Sequence, residues 1–186
     1  VNRQLSISTG DVRHDFEGAV VTTLPRTALH GLSWPVKQSF ARYVAASPGG
    51  RIVLSDGATV VPGWDLVFAP AQADFDAATG DGELTFSGSV RYTGHFGLLD
   101  VTLRDPVLQL TAGTGTLDVG VGEGRRVLAT VSCTSSSGTG DETVWESLTV
   151  TLAPPGVDLF GGVYAEGTPL DPFCARLSTR ARGVTP

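Results

Sequence analysis

The chain has 186 residues, 41% of them apolar, with 24 glycines, 11 prolines and a formal charge of −6. That is enough apolar chain for one domain with its own core and no dense disulfide framework, and glycine without a three-residue period suits turns rather than collagen or disorder. The 13 basic residues are scattered, which argues against nucleic acid as a partner, because phosphate recognition needs clustered cations. Methionine is absent and Lys37 is the only lysine. Val1 is therefore expected not to be a native translation start, and no run of ~20 apolar residues suggests a membrane span.

Residues 1–27 hold short alternating pieces, Leu5/Ile7 and Ala19/Val20/Val21, and are read as an N-terminal arm or extra strand. Residues 28–180 are read as a single domain and 181–186 as a tail. The first strong element is a helix predicted over about 33–46, "SWPVKQSFARYVAA". Ser33 is its candidate N-cap and Pro35 falls in the first turn, where a missing N–H is harmless. "SPGG" at 47–50 stops it. Val36, Ser39, Phe40 and Tyr43 recur at i, i+3, i+4 and i+7, with Lys37, Gln38 and Arg42 opposite. Two hydroxyls thus lie on a stripe expected to be buried. Each would cost roughly 1–3 kcal/mol without a partner, so something that binds oxygen is expected opposite them.

From residue 51 the period changes to two. Leu84, Phe86, Val90 and Tyr92 share one side, as do Leu99, Val101 and Leu103, resuming with Leu108 and Leu110 after the Asp105-Pro106 break. Leu117, Val119 and Val121 follow, then Val127, Ala129, Val131 and Cys133, then Val144, Leu148, Val150 and Leu152. "SDGA", "TGDGE", "TGHFG", "AGTG" and "GEGR" punctuate these runs as turns, and 134–142 reads as the loosest connection. Short strands at roughly ten-residue spacing and one helix describe a mainly β chain, an antiparallel β-sandwich or barrel-like fold.

Most motif-like stretches carry no chemistry. "GVGEG" at 120–124 lacks the strand-to-helix setting of a dinucleotide site. "DFDAATGDGE" at 74–83 resembles a calcium loop, but Ala78 stands where an oxygen is needed. No G-x-S-x-G elbow nominates a nucleophile, and catalytic residues are none. His14, His30 and His95 are too separated for a local metal motif. Cys133 and Cys174 do not spell a zinc site; they leave one disulfide or two buried thiols, with the disulfide favoured because the remaining composition looks extracellular. His95 stands between two glycines, off the parity of Val90 and Tyr92, where a tight connection aims a side chain across the end of a sheet.

"LSWPVKQSFARYV", "ELTFSGSVRYTGHFGLLDVTLRDPVLQL" and "VYAEGTPLDPFCARL", in that order over about 29–178, together resemble the HtaA haem-binding domains of actinobacterial cell surfaces, especially corynebacteria. The resemblance implies a haem-binding and haem-transfer domain at the extracellular face of the cell envelope or secreted. It would take ferric haem b from haemoglobin or a neighbouring surface protein and pass it along a relay. The full-length protein would then be membrane- or envelope-associated, and a homodimer is compatible with this. The resemblance makes Tyr43 the axial metal ligand, His95 its hydrogen-bond partner and Tyr164 a further residue of uptake. Pro35 stands where the family commonly has glycine, and Phe96 where an aspartate is often seen.

The chemistry of the residues agrees. A phenolate is a hard anionic oxygen donor suited to Fe(III), and tyrosine is an established haem ligand. A neighbouring donor favours the phenolate and orients the ring. Helical spacing adds three expectations: Ser39 binds a haem propionate, Phe40 packs on the porphyrin, and Trp34 lines the pocket. The rival reading is a cofactor-free surface β-sandwich used for adhesion or protein docking. A haem enzyme such as a peroxidase lacks a recognisable distal acid–base pair, so the chain is read as not an enzyme.

Overall fold

Period-two runs separated by glycine turns become thirteen antiparallel strands in this computed structural model, which describes residues 5–7, 29–61, 65–76, 79–133, 136–139 and 142–178. In chain order they are β1 Leu5–Ile7, β2 Gly31–Trp34, β3 Arg51–Ser55, β4 Thr59–Val61, β5 Asp65–Asp76, β6 Asp81–Ser87 and β7 Ser89–Gly94. They continue as β8 Leu99–Thr111, β9 Thr114–Val121, β10 Gly124–Ser132, β11 Ser136–Thr139, β12 Glu142–Leu152 and β13 Pro169–Ser178. The helix α1 spans Gln38–Ala46, and a single turn, α2, spans Pro154–Val157.

Eight strands close on themselves in the order β8-β6-β5-β2-β13-β12-β10-β9, because β9 pairs back onto β8. The fold is therefore a barrel rather than a sandwich. The break read at Asp105-Pro106 is the branch point. Residues 99–104 of β8 pair with β7, while 107–110 pair with β6 and β9. Asp105 sits at φ 45 and its carboxylate accepts the Gly88 N–H at 3.1 Å, fixing the bend. From the first half of β8 a branch of β7, β3 and β1 extends away from the barrel. Leu5–Ile7 is the described part of the segment read as an arm; the rest of 1–27 lies outside the described residues.

The barrel interior is filled by side chains from alternating positions, as a barrel of this strand number requires. Leu84, Phe86, Leu108, Leu110, Leu117 and Val119 are buried as their alternation predicts. Bulges change parity elsewhere. Between Val127 and Ala129 the register of β10 on β9 shifts, burying Leu128 beside Ala129. Between Trp145 and Leu148 it shifts again, with Ser147 at φ 49, so Trp145 enters the core where the expected pattern had Val144. The connection expected over 134–142 contains a strand, β11, paired with β12. Cys133 and Cys174 are not joined to each other, contrary to the favoured disulfide: Cys133 is half-buried and Cys174 buried on β13.

The helix differs from its predicted span. Residues 31–34 are a strand between β13 and β5, so Ser33 is paired in the sheet and is not a cap. Val36 has φ 59 and Lys37 occupies the N-cap position, which starts the helix five residues later than expected. Its buried face becomes Phe40, Ala41 and Val44, laid on β3 and β7. A nine-residue helix is marginal alone and depends on such packing. Phe173, fully buried edge-to-face against Trp34 at 6.0 Å, marks the join between barrel and helix start. Phe173→Ala should cost about 3–5 kcal/mol of stability, read as a lower urea midpoint with unchanged slope.

Candidate functional site

Both ends of α1 are fixed by distant residues. At its start, Asp171 of β13 accepts the Gln38 N–H on its carboxylate at 2.7 Å, accepts the Trp34 indole N–H on its carbonyl at 2.8 Å, and donates its own N–H to Val36 O at 3.0 Å. Asp171 thus serves as the cap that Ser33 was expected to be. At the other end, the turn 47–50 lies on the β7–β8 turn: Phe96 N–H donates to Pro48 O at 3.2 Å, and a Cβ on Gly94 would overlap Ser47 Oγ. His95 and Phe96 follow Gly94 with φ values of 50 and 56. Non-glycine residues in that region cost of order 1–3 kcal/mol each and persist only where surroundings over-determine them.

These two attachments bring Tyr43 and His95 together across 52 residues of sequence. Tyr43 Oη lies 2.7 Å from His95 Nε2, with ring centroids 5.6 Å apart. Which group donates depends on the imidazole tautomer. The pair faces outward: Tyr43 is 50% exposed and Ser39, one turn earlier, is exposed. Of the stripe expected to be buried, Val36 and Phe40 are buried but Ser39 and Tyr43 face out, because the buried face of the helix runs through Phe40, Ala41 and Val44. The desolvation problem posed by the sequence is thereby removed and replaced by an accessible oxygen donor.

The three tyrosines have different surroundings. Tyr92 is buried against Phe40, and burial pushes its phenol well above the ordinary range, so it keeps its proton. Tyr164 is half-buried and packs edge-on to Phe40 and Phe160 at 6.3 and 5.6 Å. Lys37 Nζ stands 5.3 Å from the centre of the Tyr164 ring. Tyr43 alone combines exposure with an imidazole partner. Phe40 is 2% exposed, beneath Tyr92, Phe160 and Tyr164 rather than on the surface. Trp34 is fully buried in the barrel core; it ties the helix start to Asp171 and does not line an accessible surface.

Three large apolar side chains whose exposure the period-two pattern does not mark are Phe96 at 88%, Leu98 at 92% and Val163 at 70%. Phe96 and Leu98 flank Gly97 on the turn that carries His95. The legible sign was bulky residues inside glycine-rich turns, "GHFGLL" and "GGVY". Among the described residues no group of three or more His, Cys, Asp or Glu could hold a metal ion.

The family model described as Htaa matches residues 30–176. The chain belongs to the HtaA family. The structure is similar to the C-terminal domain of HtaA from Corynebacterium glutamicum, with TM-score 0.71 and 26% identity over 78% of this chain and 93% of that one. It is similar to the N-terminal HtaA domain of the same organism, with TM-score 0.67 and 27% identity over 81% and 96%. It shares its fold with the heme binding protein HtaB from that organism, with TM-score 0.63 and 19% identity over 78% and 92%. A variant of the C-terminal HtaA domain was solved as a domain-swapped dimer. No curated protein matches. The HtaA-like barrel thus carries Tyr43 on its helix and His95 on its β7–β8 turn.

That turn is braced by an ion pair. Arg91 on β7 and Asp100 on β8 meet in two hydrogen bonds, one of them Nε to Oδ1 at 2.8 Å, and these hold the Asp100 carboxyl below its ordinary 3.8. A depressed folded value stabilises the fold above the unfolded value and is lost as pH falls through the folded one. Asp100→Asn should therefore lower the thermal midpoint at neutral pH, and its midpoint should converge with the parent's once acid has protonated Asp100. A gap that persists unchanged in acid would mean that the pair contributes nothing through its charge.

Proposed function

We propose that this domain binds ferric haem through the Tyr43 phenolate, with His95 as the hydrogen-bond partner of the ligand oxygen, and passes the haem to a partner protein at the cell envelope. The observation that carries the reading is the 2.7 Å contact of Tyr43 and His95 at an exposed phenol. The donor set fits the group: an accessible hard oxygen, an adjacent imidazole, and exposed apolar side chains on the turn beside it. Ferric haem would supply a Lewis-acidic iron that takes an anionic oxygen donor. His95 Nε2 favours and orients the phenolate, Phe40 and Phe160 back the Tyr164 ring, and exposed Ser39 offers a hydroxyl to a propionate. A hydrogen bond of this kind to a metal-ligating atom is commonly worth 10–100-fold in affinity.

Membership of the HtaA family and likeness to HtaB, a heme binding protein, support binding rather than catalysis. An open site suits transfer, since haemoglobin or a relay protein can approach the haem without an unfolding step. The rival, a cofactor-free docking module, would use the same exposed Phe96, Leu98 and Val163. A hemin titration followed by absorption separates the two. The parent should saturate at one equivalent with a Soret and a phenolate-to-iron charge-transfer band, and Tyr43→Phe should lose that band and most of the affinity. A parent that takes up no hemin would leave the docking module as the better reading.

A further inference from the structure

We propose that Lys37 is an anion-binding residue of this site and takes a carboxylate side group of the porphyrin, an inference that rests on the haem reading above. Lys37 is the N-cap of α1, half-buried, and its ammonium is held in place: Nζ donates to Pro169 O at 3.0 Å and stands 5.3 Å from the centre of the Tyr164 ring. An ammonium has three N–H donors, so the Pro169 bond leaves two. Among the described residues no carboxylate pairs with it, whereas Arg91, Arg104 and Arg176 meet Asp100, Asp105 and Glu142. In a chain of net charge −6, a positioned cation without a described acid partner is a place where an external anion gains most.

Its location matches the ligand. The Tyr164 ring beneath the ammonium packs on Phe40, which lies one turn before Tyr43 on α1. Lys37 and Tyr43 are six residues apart, about 9 Å along a helix axis. The positive charge comes from the lysine and not from the helix end, because the Gln38 N–H is already taken by Asp171. An iron held at Tyr43 and a carboxylate held at Lys37 would fix a planar porphyrin at two points. Exposed Ser39 supplies a neutral hydroxyl and Arg42, on the same helix, is engaged by Gln38 Oε1 at 3.1 Å, whereas Lys37 supplies its charge beside the Tyr164 ring.

The test compares hemin with its dimethyl ester, which has the same iron and ring but blocked carboxylates. Lys37→Gln should weaken hemin binding about tenfold, the scale of one charge-assisted hydrogen bond, and leave the ester unchanged; Lys37→Arg should retain most of the hemin affinity. Because Lys37 is the only lysine in the chain, acetylation followed by mass spectrometry reads it directly, and hemin should protect it while the ester should not. Equal affinities of parent and Lys37→Gln for hemin, or equal losses for hemin and ester, would overturn the assignment. A parent that binds neither porphyrin would overturn the haem reading and this inference with it.

Discussion

Asp171 decides how the helix presents itself. Its carboxylate caps the first turn, its carbonyl takes the Trp34 indole, and its N–H holds Val36 O, so one residue of β13 fixes the direction and rotation of α1. Hydrogen bonds to a charged group are worth roughly 1.5–3 kcal/mol, but the consequence here is geometric. With Val36 pinned outside the helix at φ 59, the burial stripe runs through Phe40, Ala41 and Val44, and Tyr43 is turned toward solvent.

The opposite end of the helix depends on small residues. Glycine at 94 lets Ser47 approach the β7–β8 turn, and the Phe96 N–H donates to the carbonyl of Pro48 in the turn that follows the helix. The left-handed conformations of His95 and Phe96 are the local cost of aiming an imidazole at the phenol rather than along the strand. Strain of this kind gathers at functional sites because only a packed surround sustains it. The barrel is that surround. Its closure through β9 and the bend at Asp105-Pro106 give the β7–β8 hairpin a rigid base.

The alternation of Leu84, Phe86, Val90 and Tyr92 and the glycine turns between runs made the strands legible, since period-two burial is written in consecutive residues. Closure into a barrel was not, because it rests on β8 pairing with three different strands, which no local pattern encodes. The helix start was missed for a related reason: its cap lies 133 residues away, so Ser33 looked like the nearest candidate and is a strand residue instead. Bulges at Val127/Ala129 and Trp145/Leu148 reversed parity without a proline or glycine to announce it. The Tyr43–His95 pair came from resemblance to the HtaA motifs and from the chemistry of a phenol beside an imidazole, not from spacing. Its exposure, and that of Phe96, Leu98 and Val163, required the fold.

The central claim is that Tyr43 is the iron ligand and His95 its partner. A crystal structure of the ferric haem-loaded domain tests it most directly. The account predicts Tyr43 Oη bonded to the iron and His95 Nε2 within hydrogen-bond distance of that oxygen, with the porphyrin lying over the exposed side of α1. An iron held by His95, or a haem lodged at any other face of the barrel, would contradict it.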